Sequence, residues 1–231
     1  MPDLEFRHEL KYVLNAVEFM ILRNRIKIVM RRDAHTIGET YLVSSIYFDD
    51  LDNKAFHEKI NGDNDRKKYR IRCYNYDQSR LMLERKDKVN GTTRKINALI
   101  SREEYKKLVT GEIRTIQRSP DKPLLAELCE KIKIERLRPV QVVEYCREPY
   151  VFPAGNVRVT FDTAIKAALA GDDMFNRAKL SIPAMDKGFG ILEVKYDGFL
   201  PEHIRNIINL NTKQIQSNSK YILCRLAANN Y

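Results

Sequence analysis

Six segments of this chain alternate, residue by residue, between an apolar side and an ionic side. In "KYRIRCYN" (68–75), Arg70, Arg72 and Tyr74 alternate with Ile71 and Cys73. In 4–14, Glu5, Arg7, Glu9 and Lys11 share one face. Leu4, Phe6, Leu10 and Tyr12, with His8 among them, share the other. The same pattern places Glu84, Lys86 and Lys88 in phase with Met82 (80–89), and Tyr145 and Arg147 in phase with Val143 (138–152). It also groups Arg158, Thr160 and Asp162 (156–165), and Ile191, Glu193 and Lys195 (189–199). A period of two predicts strands. Their apolar faces (Val157, Val159, Phe161; Leu192, Val194, Tyr196) must be covered by something, and their ionic faces must be reconciled with one another.

Further strands are predicted at 41–50 and 92–100, the latter joined to 80–89 by Asn90-Gly91, a strong hairpin signal. Helices are predicted over 15–33, where Asn15 and Glu18 read as a capping box, and over 51–62, closed by Gly62. Ser101 and Glu104 open another that stops at Gly111, and 123–137, 201–209 and 217–227 complete the set. About eight strands with segregated helices indicate an α+β chain, not a doubly wound parallel sheet. No repeat or Pro/Gly-rich linker divides it, so a single domain over 1–231 is expected.

Two arrangements suit the ionic faces. They can form the wet side of an open sheet, with cross-strand ion pairs. Alternatively, helices cover the apolar faces and the ionic faces line the lumen of an antiparallel eight-stranded β-barrel with helices packed outside. Cations crowded into a lumen repel one another and are costly to desolvate. A polyanion, with divalent metal ions bridging it to the acids, resolves that conflict.

The charge balance agrees. With 41 Lys and Arg against 31 Asp and Glu, the 231-residue chain carries a net +10, which calls for an anionic partner. Nucleic acid, an anionic membrane surface and a phosphorylated small molecule or polymer are the classes to weigh. An RNA-binding module would show aromatic stacking platforms on an open sheet; none is evident and there is no Trp. No stretch is long and apolar enough to span a bilayer, and the N-terminus lacks an apolar signal core, so a cytoplasmic location is expected. Cys73, Cys129, Cys146 and Cys224 are dispersed, which argues for reduced thiols over a disulfide scaffold or a zinc site. His8, His35, His57 and His203 are equally scattered.

The segments "RHELKYVL", "KYRIRCY", "LERK", "LRPVQVVEYCREPY", "VRVTFD", "GILEVKY" and "SNSKY", in this order, resemble the VTC domain. This is the polyphosphate polymerase domain of the vacuolar transporter chaperone, within the triphosphate tunnel metalloenzyme (CYTH-like) superfamily, and the resemblance is to its stand-alone bacterial type. The resemblance runs from Phe6 to Tyr221. It implies a tunnel-forming barrel, transfer of the γ-phosphate of ATP onto a growing polyphosphate chain with release of ADP, and a Mn²⁺ or Mg²⁺ cofactor. The implied catalytic residues are Lys11, Arg70, Arg72, Lys86, Arg147, Arg158 and Lys220. Tyr145, Lys195 and Arg7 would bind substrate; Glu193, with Glu9 or Glu84, would hold the metal. Arg7 stands where the superfamily's first-strand E-x-E-x-K pattern has its first glutamate, which leans towards the polymerase branch.

The implied partners are ATP and inorganic polyphosphate, not nucleic acid, with any membrane coupling left to a separate protein. A triphosphatase of the same fold and a non-catalytic polyphosphate or phospho-metabolite binder are the alternatives. Lys88, Arg94 and Lys95 flank the expected hairpin and read as solvated surface. Asp162 is equally readable as an ion-pair or turn residue.

Overall fold

The computed structural model describes residues 7–34, 36, 38–89, 92–116, 120–169, 173–209 and 219–229. The strands are β1 (Arg7–Leu14), β2 (Arg31–Arg32), β3 (Tyr41–Asp49), β4 (Arg66–Tyr74), β5 (Leu81–Val89), β6 (Thr92–Ile100), β7 (Arg138–Phe152), β8 (Val157–Leu169), β9 (Ser181–Pro183) and β10 (Gly190–Asp197). The helices are α1 (Ala16–Val29), α2 (Lys54–Asn61), α3 (Arg102–Thr110), α4 (Pro123–Ile134), α5 (Glu202–Ile208) and α6 (Lys220–Asn229).

Local chemistry sets the ends of these elements. The Asn15 side chain accepts from the Val17 and Glu18 amides at 3.0 Å, and the Glu18 carboxylate accepts from the Asn15 amide at 2.9 Å, closing the capping box of α1. Ser101 and Glu104 do the same for α3. Gly62 and Gly111 end α2 and α3 at φ 79° and 80°, a left-handed conformation that a Cβ would strain. The strands β2 and β9 are too short to carry a period and were not expected from sequence. The Asn90-Gly91 turn, and residues 4–6 of the first predicted strand, lie outside the described residues.

All the pairings are antiparallel. Eight strands follow one path, β1-β10-β8-β7-β3-β4-β5-β6, with β2 added to β7 and β9 to β8. The sheet curls until β5 meets β1 through side chains: Lys86 Nζ donates to Glu9 Oε2 at 3.0 Å. Among the described residues no ladder joins β6 back to β1.

The convex face carries two separate cores. Ile71 and Cys73 of β4, with Leu81 and Leu83 of β5, pack against Tyr105 and Leu108 of α3 and Leu124, Leu125 and Leu128 of α4. Val157, Val159 and Phe161 of β8, with Leu192 and Val194 of β10, pack against Leu22 and Ile26 of α1 and Ile204 and Ile208 of α5. A third core lies on the concave side. Tyr221 and Cys224 of α6 are buried there against Tyr47, Val143, Tyr145, Ile165, Ala167 and Ile191. Each large apolar side chain so buried contributes about 1.5–3 kcal/mol. The helix α6 therefore closes part of the lumen, while its first residue, Lys220, faces what remains.

One bulge makes this plug possible. The β7–β8 register shifts between Glu144 and Cys146, and Ala164 adopts φ 49°. Before the bulge, the even-numbered residues Arg158 and Thr160 face the cavity. After it, Ile165 and Ala167 face inward and Lys166 is turned to solvent. An unbroken alternation would have driven Lys166 into the apolar seat of α6.

Candidate functional site

The concave face encloses a cavity of about 600 Å³, lined by eleven basic and three acidic side chains. Their order follows the registers. Arg70 faces Tyr47 on one side and Glu84 on the other; Lys68, Lys86 and Lys95 stand directly opposite one another on β4, β5 and β6. Like charges in register repel, so this row is built against its own electrostatics.

Each carboxylate ties down a different set of cations. Glu84 is buried and accepts from Arg70 Nε at 2.6 Å and Lys95 Nζ at 3.2 Å, with Arg72 Nη1 at 3.8 Å. Burial opposes its charge, but Arg70 and Arg72 outweigh burial and hold its pKa far below the usual carboxylate range. Glu9 accepts from Lys11 at 2.6 Å and Lys86 at 3.0 Å. Glu193 receives Arg147 Nη2 and Lys195 Nζ, both at 3.2 Å, and lies 3.8 Å from Lys11. Burial works against Glu193 as an anion, and Lys195 and Lys11 reverse that, lowering its pKa well below the ordinary value. The carboxyl groups of Glu9 and Glu193 are within hydrogen-bond reach of each other.

A fourth anion holds the wall between β7 and α6. Asp162 is 0% exposed. Arg147 clasps it with two bonds, Nε to Oδ1 at 2.7 Å and Nη2 to Oδ2 at 2.8 Å, and Lys220 Nζ reaches Oδ2 at 2.6 Å. Both cations also lie over the Tyr145 ring, at 5.2 and 4.9 Å. Asp162 is therefore an ion-pair residue that positions two residues of the cavity wall.

Some groups have no anion to satisfy them. Among the described residues no carboxylate lies within ion-pair distance of Lys68. It donates to Ser219 Oγ at 3.2 Å and lies near the Tyr47 and Tyr221 rings. Burial, then Lys86 and Arg70, push its pKa well below the lysine range. Arg158 pairs with Asp33 at 3.0 Å, yet its Nε is buried without a partner, as is Thr160 Oγ1 beside it. Burial likewise pushes Lys86 down to about 8, Glu9 opposing and Lys11 adding to the shift. A bound polyanion restores the charged form. We expect titration calorimetry with inorganic triphosphate at pH 8.5, in buffers of different ionisation enthalpy, to show proton uptake that shrinks in Lys86→Met, and affinity to fall as pH rises through 8.

The cavity thus gathers Lys11, Arg70, Arg72, Lys86, Arg147, Arg158, Lys220, Tyr145, Lys195, Glu193, Glu9 and Glu84. The Arg7 side chain lies outside the description. Two expectations change. Arg94 and Lys95 are not merely hairpin surface: both line the cavity because β6 curls with the sheet, and Lys95, diagonal to Glu84 in the β5–β6 register, bonds it. Glu84 stands among cations rather than beside Glu193, its oxygens engaged by Arg70 and Lys95. Sequence reasoning passed over Tyr47, Lys68, Thr93, Thr160 and Ser219 as site residues. Lys68 was within reach, being in phase with Arg70 and Arg72. Tyr47 was not, since the inward positions of β3 that precede it, Tyr41, Val43 and Ser45, carry no charge.

A curled eight-stranded antiparallel half-barrel with helices packed on it, its concave face lined with cations, defines a protein of the α+β tunnel fold. The VTC domain family model matches residues 6–229, and the chain belongs to the VTC domain family. A search of curated proteins gives no match. Among solved structures, a candidate adenylyl cyclase from Hippeastrum with a dominant triphosphatase activity superposes with a TM-score of 0.56 at 12% identity, covering 96% of this chain and 95% of that one. A candidate adenylate cyclase from Bacillus halodurans gives a TM-score of 0.51 at 16% identity, over 88% and 86% of the two chains. At such identities the likeness is one of fold. Among the described residues no helix is long and apolar enough to cross a membrane.

Proposed function

We propose that this protein is an ATP-dependent polyphosphate polymerase. The observation that carries the reading is the cavity itself: eleven cations against three carboxylates, with Lys68 and the Arg158 Nε lacking anionic partners. Membership of the VTC domain family supports it. A terminal oxygen of the polyphosphate chain attacks the γ-phosphorus of ATP, the bond from that phosphorus to the β–γ bridging oxygen breaks, and ADP leaves. Such transfers depend on positioning and charge neutralisation more than on covalent help. Arg70, Arg72, Arg147 and Arg158 suit this through their planar forks, which match phosphate oxygens in pairs. Lys11, Lys68, Lys86, Lys195 and Lys220 add compact point charges, and Tyr145 one hydroxyl donor. The acceptor oxygen is already ionised, so no general base is required, and among the described residues lining the cavity there is no histidine or cysteine.

Glu9 and Glu193 fit a divalent ion. They are two carboxylates in mutual reach beside an unsatisfied Thr160 hydroxyl, an all-oxygen donor set of the kind that Mg²⁺ or Mn²⁺ shares with phosphates. When bound, the ion would supply Lewis-acid neutralisation of the phosphate oxygens. Glu84 stands apart from that pair, among Arg70, Arg72 and Lys95, and would anchor Arg70 and Lys95 instead.

A triphosphatase is the second reading, favoured by the activity stated for the Hippeastrum protein of the same fold. The products separate the two. Incubated with ATP and Mn²⁺, the protein is expected to form a ladder of polyphosphate on a gel together with ADP. Release of free phosphate without a ladder would overturn the polymerase reading in favour of hydrolysis.

A further inference from the structure

The cavity has a second kind of wall at one end. The helix α6 packs where β3 finishes, with the Tyr221 hydroxyl donating to Asp49 at 2.7 Å. At the opposite end, where β3 begins, the concave face stops being ionic. Tyr41 stands opposite Arg147, and Tyr74 opposite Val43. Met82 stands opposite Arg72, and Leu99 opposite Met82. These four side chains share the face that carries the cations: Tyr41, Met82 and Leu99 stand level with Arg147 and Arg72, and Tyr74 lies one inward position beyond Arg72. Two of them are open to solvent: Tyr74 is 38% exposed and Leu99 is 54% exposed. An apolar rim turned towards a charged lumen and left uncovered is unusual, because the convex apolar faces of the same strands are buried under helices.

The rim is also coupled to the cations. Tyr41 and Tyr74 meet edge to face, with ring centroids 5.6 Å apart. Arg158 Nη2 donates to the Tyr41 hydroxyl at 3.4 Å. One arginine thus touches both the charged wall and the aromatic pair.

We propose that this rim seats the base of a nucleoside triphosphate, stacked on Tyr74 and flanked by Met82 and Leu99, with the triphosphate running inward along Arg72, Arg158 and Arg147. The assignment rests on the reading of the cavity as a phosphate site and adds an orientation and a specificity element to it. Inorganic triphosphate satisfies the arginines alone. A nucleotide satisfies the arginines and covers the rim. Stacking tolerates any base, since every base presents a π face, so the rim would favour nucleotides over inorganic triphosphate without selecting adenine.

The test compares two ligands on one protein. The affinities of AMP-PNP and of inorganic triphosphate are measured by calorimetry in EDTA, for the wild type, Tyr74→Ala and Tyr74→Phe. Tyr74→Ala is expected to bind AMP-PNP about tenfold more weakly, the size of one base–aromatic stack. Its affinity for inorganic triphosphate should be unchanged, which also certifies the fold. Tyr74→Phe should retain the wild-type preference. Unchanged AMP-PNP affinity in Tyr74→Ala, or equal losses for both ligands, would overturn the rim and leave the phosphate site standing. A wild type that binds neither ligand would overturn both.

Discussion

Arg72→Ala loses about 100-fold or more in turnover and in affinity for inorganic triphosphate, while its melting temperature moves by no more than about 3 °C. The first figure is the cost of removing one fixed donor from a site where charge develops in a water-poor cavity. The second follows from the contacts Arg72 makes. Its Nε is 3.4 Å from Ser45 Oγ and its Nη1 is 3.8 Å from Glu84, both long. Removing it leaves Glu84 bonded to Arg70 and Lys95. It also relieves the repulsion from Arg70, which works against the Arg72 charge. No buried ion is orphaned, so the stability change stays within about 1 kcal/mol, and at this chain length that is a few degrees. The assays are differential scanning calorimetry for stability and a polyphosphate gel with calorimetric titration for function. Full activity in a folded Arg72→Ala protein would show that the cavity is not the site of phosphoryl chemistry.

The opposite profile is expected at Asp162. Asp162→Ala leaves Arg147 and Lys220 without their shared counter-ion in a buried cluster, and breaking such a cluster costs about 3–5 kcal/mol. The melting temperature should drop by about 10 °C. Added inorganic triphosphate should recover part of that loss, since a bound polyanion supplies the missing charge. The pH dependence has a definite sign. Burial would raise the Asp162 pKa, but Arg147 and Lys220 outweigh burial and lower it below the ordinary 3.8. A carboxyl group with a depressed folded-state pKa stabilises the fold above 3.8, and that stabilisation fades as pH falls through the folded-state value. The stability gap between wild type and Asp162→Ala should therefore be full at neutral pH and narrow below about pH 4. A gap that stayed constant down to pH 2 would show that Asp162 acts through packing and not through its charge.

The two residues differ in how far a sequence can reveal them. Arg72 sits in a clean alternation with Ile71 and Cys73, and its face and partners follow from a period of two. Asp162 ends a similar alternation, Arg158-Thr160-Asp162, but its partners come from 15 residues earlier in the chain and 58 residues later. No local pattern reports such a meeting. Lys95 illustrates a different gap. Its position next to an expected hairpin made it look solvated. The β5–β6 register puts it diagonal to Glu84, but only the curl of the sheet turns that shared face into the wall of a lumen. Tyr74 and Leu99 read as ordinary strand residues until the cavity shows which end they rim.

By itself the sequence determined the eight long strands, most helix ends, the α+β class and the separation of an ionic face from an apolar one. These are local consequences of side-chain alternation, capping chemistry and charge. The tertiary structure decided which end of the lumen is plugged and which is open. The Ala164 bulge reverses the inward phase of β8 from polar to apolar residues, and this gives α6 its seat against Ile165 and Ala167. The tertiary structure also decided which carboxylate neutralises which cation. Ion pairs between strands depend on how far the sheet curls and on register across strands distant in the chain, and neither quantity is written in any one segment.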